Sequence, residues 1–198
     1  MMLLNKIDDI MDYSLLETNN LKITKEKFNL RDLLSDVQNI LSYQFDNHII
    51  NFSVFVADHV PNIVTHDYKR IKQILLNLVF NALKYTEKGF VTVIVDWEFV
   101  KRSNKRTIYN YDQQTECILH VSVSDSGWGI EKKKRMNMYE LFSSAKSDYY
   151  DNKTSKSFIE ASELMGMGLA YWHKILKKMD SKLKLCSAIN VGSTFNFR

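Results

Sequence analysis

Asn77 and Asn81 stand four residues apart in a stretch whose apolar residues recur with helical spacing. Both carboxamides therefore share one helix face. Lys84 follows Asn81 by three residues and Tyr85 follows it by four. One helix can thus present two carboxamides, an ammonium and a phenol ring to one cleft. A carboxamide oxygen is a hard ligand suited to Mg²⁺. A lysine meets phosphate as a point charge, and a ring can stack on a base. An ordinary solvated face ending in Lys-Tyr has the same residues, and the helix alone does not choose between the two.

Two glycine pairs add to this helix. Asp125-Ser126-Gly127-Trp128-Gly129-Ile130 follows a β-rich run. A strand-end aspartate can accept a hydrogen bond from an exocyclic amine, and glycines let backbone approach a flat ring closely. Gly166-Met167-Gly168-Leu169 opens a helical pattern. Unpaired amides at a helix start favour phosphate, although tight helix packing explains the glycines equally well. Taken singly, each pair also suits a simple turn.

The elements that must position these groups follow from periodicity. Leu3 to Leu16 carries an apolar stripe of Leu3, Ile7, Ile10, Met11 and Leu15 and predicts a helix. Thr18 to Lys27 is polar and reads as a linker. Leu30 to Phe45 is a second amphipathic helix, with Leu33, Leu34, Val37, Ile40 and Leu41 on one side. Asn51 to Ala57 is a strand, and Pro61 marks a connection. Thr65 or Asp67 can cap a third helix running to about Tyr85. Ile71, Ile74, Leu75, Leu78, Val79 and Ala82 should face inward on it. Gly89 closes the helix region. Val91, Val93 and Val95 alternate in a strand, Lys101 to Gln114 is a long hairpin loop, and Ile118 to Ser124 is the returning strand. A short helix around Met136 to Phe142, a polar stretch from Ser143 to Glu163 and a last helix from Gly166 to Met179 follow. Lys182 to Ser187 and Thr194 to Phe197 form a closing hairpin. Helices interleaved with an antiparallel or mixed sheet are accommodated most simply as a two-layer α/β sandwich, with helices on one face of the sheet.

Composition excludes several classes. The chain has 198 residues, 45% hydrophobic and 25% charged, as in ordinary globular proteins. Its net charge of +4 is scattered and gives no nucleic-acid patch. The densest basic run, Lys132 to Arg135, reads as a solvated helix start. The two cysteines, Cys117 and Cys186, lack zinc-ligand spacing and read as idle thiols. No apolar run is long enough to span a bilayer.

The three motifs in this order resemble those of the histidine-kinase branch of the GHKL ATPase superfamily. Asp67 to Thr86 is similar to the N box almost residue for residue. Asp125 to Ile130 resembles the first glycine box, Tyr139-Glu140-Leu141-Phe142 a degraded F box, and Gly166 to Ala170 the second glycine box. Gly192-Ser193-Thr194-Phe195 resembles the closing strand motif, and the likeness covers Phe28 to Phe197.

The resemblance implies a Bergerat ATP-binding fold with ATP and Mg²⁺ as cofactors. It implies that Asn81 holds Mg²⁺ with Asn77 beside it, that Lys84 approaches the phosphates and that Tyr85 lines the adenine pocket. Asp125 would bind the adenine amino group in a pocket shaped by Gly127 and Gly129. Gly166 and Gly168 would anchor the end of a lid spanning about Ser143 to Met165, with Lys146, Lys153 and Lys156 available to phosphate, and Leu169 would join the nucleotide-binding residues. Thr194 would add a contact from the closing strand. Hydrolytic branches carry a glutamate base where Asn77 stands. A carboxamide takes no proton, so transfer to histidine is expected over attack by water.

The five histidines, His48, His59, His66, His120 and His173, lack the acceptor context. Residues 1–26 are therefore expected to be the second helix of a dimerisation and phosphoacceptor hairpin with its linker, and residues 27–198 the catalytic domain. The acceptor histidine would come from upstream or in trans. The resemblance further implies a response-regulator receiver domain as partner, a homodimer in the full-length protein, and a soluble piece on the cytoplasmic side of a parent that a membrane anchors or does not. Four departures stand out: Leu164 at a glycine position, Met167 for a leucine, bulky Trp128, and Asp180-Ser181 for a glycine pair. They leave open the alternative of a catalytically inactive nucleotide-binding or scaffold module.

Overall fold

Helix α1 (Leu30–Phe45) begins where Asn29 offers its side chain: Asn29 Oδ1 accepts from Arg31 N at 2.9 Å. That satisfies one of the amides a helix start leaves unpaired. Leu30, Leu33, Leu34, Val37 and Leu41 are buried along one side, with Ile40 half-buried. Helix α2 (Tyr68–Tyr85) is capped by Asp67, whose Oδ1 accepts from Arg70 N at 3.0 Å. Its six expected inward residues are all buried. Tyr68 Oη and Lys72 Nζ both donate to Asp36 Oδ2, at 2.7 and 2.6 Å, and tie α2 to α1.

The computed structural model describes residues 20–45, 49–99, 117–144 and 167–198. Two short strands, β1 (Glu26–Asn29) and β3 (Ile63–His66), pair antiparallel with each other. The main sheet contains β2 (Ile49–Val56), β4 (Lys88–Phe99), β5 (Cys117–Asp125), β6 (Lys184–Ala188) and β7 (Gly192–Phe197). Its order is β2-β4-β5-β7-β6, with β2 and β4 parallel and the other neighbours antiparallel. Helices α3 (Lys132–Ser144) and α4 (Met167–Lys178) complete the fold.

Strand alternation shows which face the helices cover. Val91, Val93 and Val95 are buried, whereas the intervening Ile94 is exposed. Val121, Val123 and Asp125 continue the buried row on β5, and Ser193, Phe195 and Phe197 on β7. The core lies between this face and the helices, with Ile74, Leu78 and Val79 from α2 and Trp172, Ile175 and Leu176 from α4. The two-layer mixed α/β sandwich is the arrangement expected from the sequence. No described helix is long and apolar enough to cross a membrane.

Several local expectations change. Lys27 belongs to β1, not to a linker. Leu21 is buried in the core, and Thr24 N donates to Asp67 Oδ2 at 2.9 Å, so the folded unit begins before Lys27. Strand β3 sits where only a connection was expected. Gly89 does not close α2; it lies in β4 at a φ of 120°, and Thr86 follows the last helical residue. The expected Leu3–Leu16 helix, the Lys101–Gln114 loop and the lid lie outside the described residues, apart from Ser143 and Ser144, which end α3.

The Asp180-Ser181 departure has a defined geometry. Ser181 N donates to Leu176 O at 2.8 Å and Asp180 N to Lys177 O at 3.1 Å. These two bonds form a Schellman motif, whose first residue past the cap is left-handed. Asp180 holds that place at a φ of 55°, where glycine carries no steric penalty. Asp180→Gly should therefore stabilise the domain by about 1 kcal/mol, read as a higher denaturation midpoint with an unchanged slope.

Candidate functional site

A cavity of about 380 Å³ opens beside the C-terminal half of α2, within the range of small-molecule sites. Asn81, Ala82 and Tyr85 line one side of it. Asp125 reaches it from the end of β5, and Ser193 and Phe195 from β7. The loop from Trp128 to Glu131, Lys134 and Met138 of α3, and the β6–β7 turn at Ile189 and Asn190 complete the lining.

Asp125 reaches the site because it extends the inward row of β5 by one more step of two. Its Oδ1 accepts from Gly127 N at 2.9 Å and from Ser193 N at 3.2 Å. Oδ2 has no donor among the described residues. Burial pushes the Asp125 carboxyl above its ordinary value, and the two amide donors only partly oppose it. The site thus holds a fixed carboxylate with one oxygen satisfied and the other available.

The glycine loop is stitched to three neighbours. Ser126 N donates to Phe90 O at 3.1 Å on β4, and Trp128 N to Tyr85 O at 3.1 Å at the end of α2. Asn190 N donates to Trp128 O at 2.8 Å, and Ile130 N to Ser187 Oγ at 2.8 Å, which ties the loop to the β6–β7 hairpin. Such close backbone approach explains both glycines. A Cβ on Gly127 would stand 2.2 Å from Tyr85 O, and one on Gly129 would stand 1.9 Å from Ala188 O. Gly129 also has a φ of 68°. Gly129→Ala should cost at least about 2 kcal/mol from clash and backbone strain, and should weaken any ligand of the cavity in the same titration.

On α2, Asn81 Nδ2 donates to Asn77 Oδ1 at 3.1 Å. The bond commits the amide nitrogen and leaves Asn81 Oδ1 as the acceptor available to the cavity. Asn77 does not line the cavity; it orients its neighbour. Lys84 Nζ lies over the Tyr85 ring, 5.1 Å from its centroid, and does not line the cavity either.

Of the residues singled out from sequence, Asn81, Tyr85, Asp125 and Gly129 therefore converge on one cavity. Gly127 backs it against the Tyr85 carbonyl. Gly168 and Leu169 fall in the first turn of α4, while Gly166 and the lid lysines lie outside the described residues. Thr194 is a correction. It points to the opposite face of the sheet, where its Oγ1 is 3.0 Å from Ser124 Oγ, and Ser193 and Phe195 take the cavity side. Lys132, Lys133 and Lys134 of the basic run are exposed at a helix start, as expected, and Lys134 also lines the cavity. Cys117 is half-buried and Cys186 exposed, and both are free thiols. Among the described residues no group of His, Cys, Asp and Glu forms a metal cluster. Ile189 and Asn190 carried no sequence signal; they arrive through the hairpin's hydrogen bonds to the loop.

Comparison with known proteins gives consistent results. The family model for histidine kinase-, DNA gyrase B- and HSP90-like ATPases (HATPase_c) matches residues 66–198. Hybrid signal transduction histidine kinase B of Dictyostelium discoideum is 31% identical over 195 residues, covering 98% of this chain and 9% of that protein. Signal transduction histidine-protein kinase BarA of Escherichia coli (strain K12) is 29% identical over 195 residues, covering 98% of this chain and 19% of that protein. The chain therefore spans less than a fifth of the length of these two relatives. Among solved structures, full-length ShkA in complex with AMPPNP superimposes with a TM-score of 0.68 at 20% identity, over 99% of this chain and 35% of that one. Acinetobacter baumannii histidine kinase AdeS gives 0.64 at 18% identity, over 96% and 74%. These structural likenesses speak to fold.

Proposed function

Because the chain belongs to the family of histidine kinase-, DNA gyrase B- and HSP90-like ATPases, we propose that it binds Mg²⁺-ATP in the cavity beside α2 and directs the γ-phosphate to a histidine side chain. The observation that carries this reading is the convergence of Asn81, Tyr85 and Asp125, from separate elements, on one cavity of nucleotide size. The groups present fit the ligand. Asp125 keeps one carboxylate oxygen for the exocyclic amine of adenine. Tyr85 and Trp128 offer apolar surface to a base. Asn81 keeps a hard oxygen for Mg²⁺, whose charge neutralises phosphate oxygens when bound.

The chain's own residues bind and orient. Asp125, fixed by two backbone amides, selects and positions the purine. Asn77 holds the Asn81 carboxamide in one orientation, so no reorganisation is needed when the ligand arrives. Phosphoryl transfer depends mostly on such positioning and on charge. Asn77 cannot accept a proton, so no general base for water stands one turn before Asn81. A histidine nucleophile needs no such base.

The acceptor histidine belongs to another segment or another chain, as do the receiver domain that takes the phosphate onward and the second copy of a dimer. Residues 1–26 include the tail of a dimerisation hairpin on this reading, with the catalytic unit following. The relatives named hybrid histidine kinases support those partners. A radiolabelled ATP assay with this chain and a separate helical-hairpin domain bearing a histidine tests the proposal. Acid-labile, base-stable label on that domain is the expected result. Nucleotide binding without any label on the acceptor would remove the kinase reading.

A further inference from the structure

The cavity has an unusual charge arrangement for a site that takes a polyphosphate. Its described lining contains two acids, Asp125 and Glu131, and one cation, Lys134. Lys84, the lysine nearest the carboxamide pair in sequence, keeps its ammonium over the Tyr85 ring instead. Among the described residues, the cation presented to the cavity therefore comes from α3.

Helix α3 turns Lys134 toward the site by simple periodicity. Lys134 and Met138 are four residues apart and share a face. Met138 is buried at 4% exposure and also lines the cavity, which fixes that face inward. Lys132, Lys133 and Lys134 are all exposed at the surface, and of the three Lys134 is the one that also lines the cavity. Lys134 has no ion-pair partner among the described residues. The helix also breaks a local rule. Its first turn holds lysines and no acid, although the positive end of a helix dipole disfavours cations there. The nearest acid is Glu131, just before the helix, whose backbone oxygen accepts from Arg135 N at 2.9 Å.

We infer that Lys134 is a phosphate-binding residue of the cavity, reaching a nucleoside di- or triphosphate from α3. The inference rests on the nucleotide reading of the site. Lys134 acts as a point charge on phosphate oxygens, so its contribution scales with ligand charge and is absent for an uncharged nucleoside.

Calorimetric titration of the full chain with adenosine and with Mg²⁺-ADP tests it, using the wild type, Lys134→Ala, Lys134→Arg and Lys133→Ala. Lys134→Ala should weaken Mg²⁺-ADP about tenfold and leave adenosine unchanged. Lys134→Arg should retain most of the affinity. Lys133→Ala removes the same formal charge one residue away and should change neither ligand. An equal loss for adenosine would show that Lys134 is a packing wall. An equal loss of Mg²⁺-ADP in Lys133→Ala would show a diffuse field, and no loss in Lys134→Ala would show a solvated side chain. Each of these three results overturns the inference. A wild-type chain that binds adenosine but gains nothing from phosphate overturns it while sparing the purine site. A wild-type chain that binds neither ligand removes the nucleotide reading itself, and this inference with it.

Discussion

Asn81→Ala should abolish phosphoryl transfer while leaving the domain folded. The side chain is partly exposed in the cavity, and its one described hydrogen bond is to Asn77. Losing that bond costs the fold about 1 kcal/mol or less. The loss to catalysis is much larger. Alanine removes the carboxamide oxygen that α2 presents to the cavity, and metal charge on phosphate oxygens is worth several kcal/mol. Label transfer to a histidine acceptor should fall by at least about 10³-fold. Asn77→Ala should fall by roughly tenfold, because it frees the Asn81 amide to rotate but leaves its oxygen in place. Single-turnover transfer at saturating Mg²⁺-ATP reads both. Equal defects in the two variants would mean that the pair acts as a unit rather than as ligand and orienter.

Asp125→Asn should separate stability from function. Asparagine keeps an Oδ1 to accept from Gly127 and Ser193, so the loop geometry survives. It puts an amide donor where the free carboxylate oxygen stands, facing the donor amine of adenine. Loss of a hydrogen bond to a charged acceptor is worth about 1.5–3 kcal/mol, which is roughly a 10- to 100-fold weaker Kd for Mg²⁺-ADP. Stability should move the other way. Burial holds the Asp125 carboxyl above its ordinary value of 3.8. A carboxyl raised in the fold binds its proton more tightly there than in the unfolded chain. It brings no penalty below about 3.8, and the penalty grows as pH rises through the raised value. The ligand-free Asn variant should therefore be at least as stable as wild type at neutral pH. It should also lose the decline in stability that wild type shows across that acidic window. Denaturant midpoints between pH 3.5 and 7 check the sign.

Much of this architecture is written in local patterns, and the exceptions have identifiable causes. Helix α1 matches its expected range of Leu30 to Phe45, because its apolar stripe and the polar residues around it are both strong. The start of α2 was legible because Asp67 is a capping residue in front of an unbroken helical period. Strands β1 and β3 were not, since each has four residues and they pair only with each other. Four residues carry too little alternation to register. Leu21 was missed for a related reason. Leu21 and Ile23 are too few apolar residues in a polar run to set a period, and their burial depends on tertiary packing against the core.

At the site, Asn81, Tyr85, Asp125 and Gly129 were legible because each belongs to a multi-residue motif. Thr194 was placed on the wrong face, and the period-two rule explains the correction. Asp125 pairs directly with Ser193 across the β5–β7 ladder, so the inward position is Ser193 and its neighbour must turn away. The place of Lys134 at the cavity rim was concealed by its companions, since all three lysines of the run are exposed and only the burial of Met138 fixes the helix rotation. Ile189 and Asn190 depend on hydrogen bonds between the hairpin turn and the glycine loop, about 60 residues apart in sequence.

The central claim is that residues from α2, β5, the glycine loop and the β6–β7 hairpin enclose one nucleotide. A crystal structure of this chain with Mg²⁺ and a non-hydrolysable ATP analogue tests it most directly. Purine density against Asp125 and Tyr85, with metal density at Asn81 Oδ1, is the expected result. Nucleotide density anywhere else on the molecule, with the cavity beside α2 filled only by solvent, would contradict it.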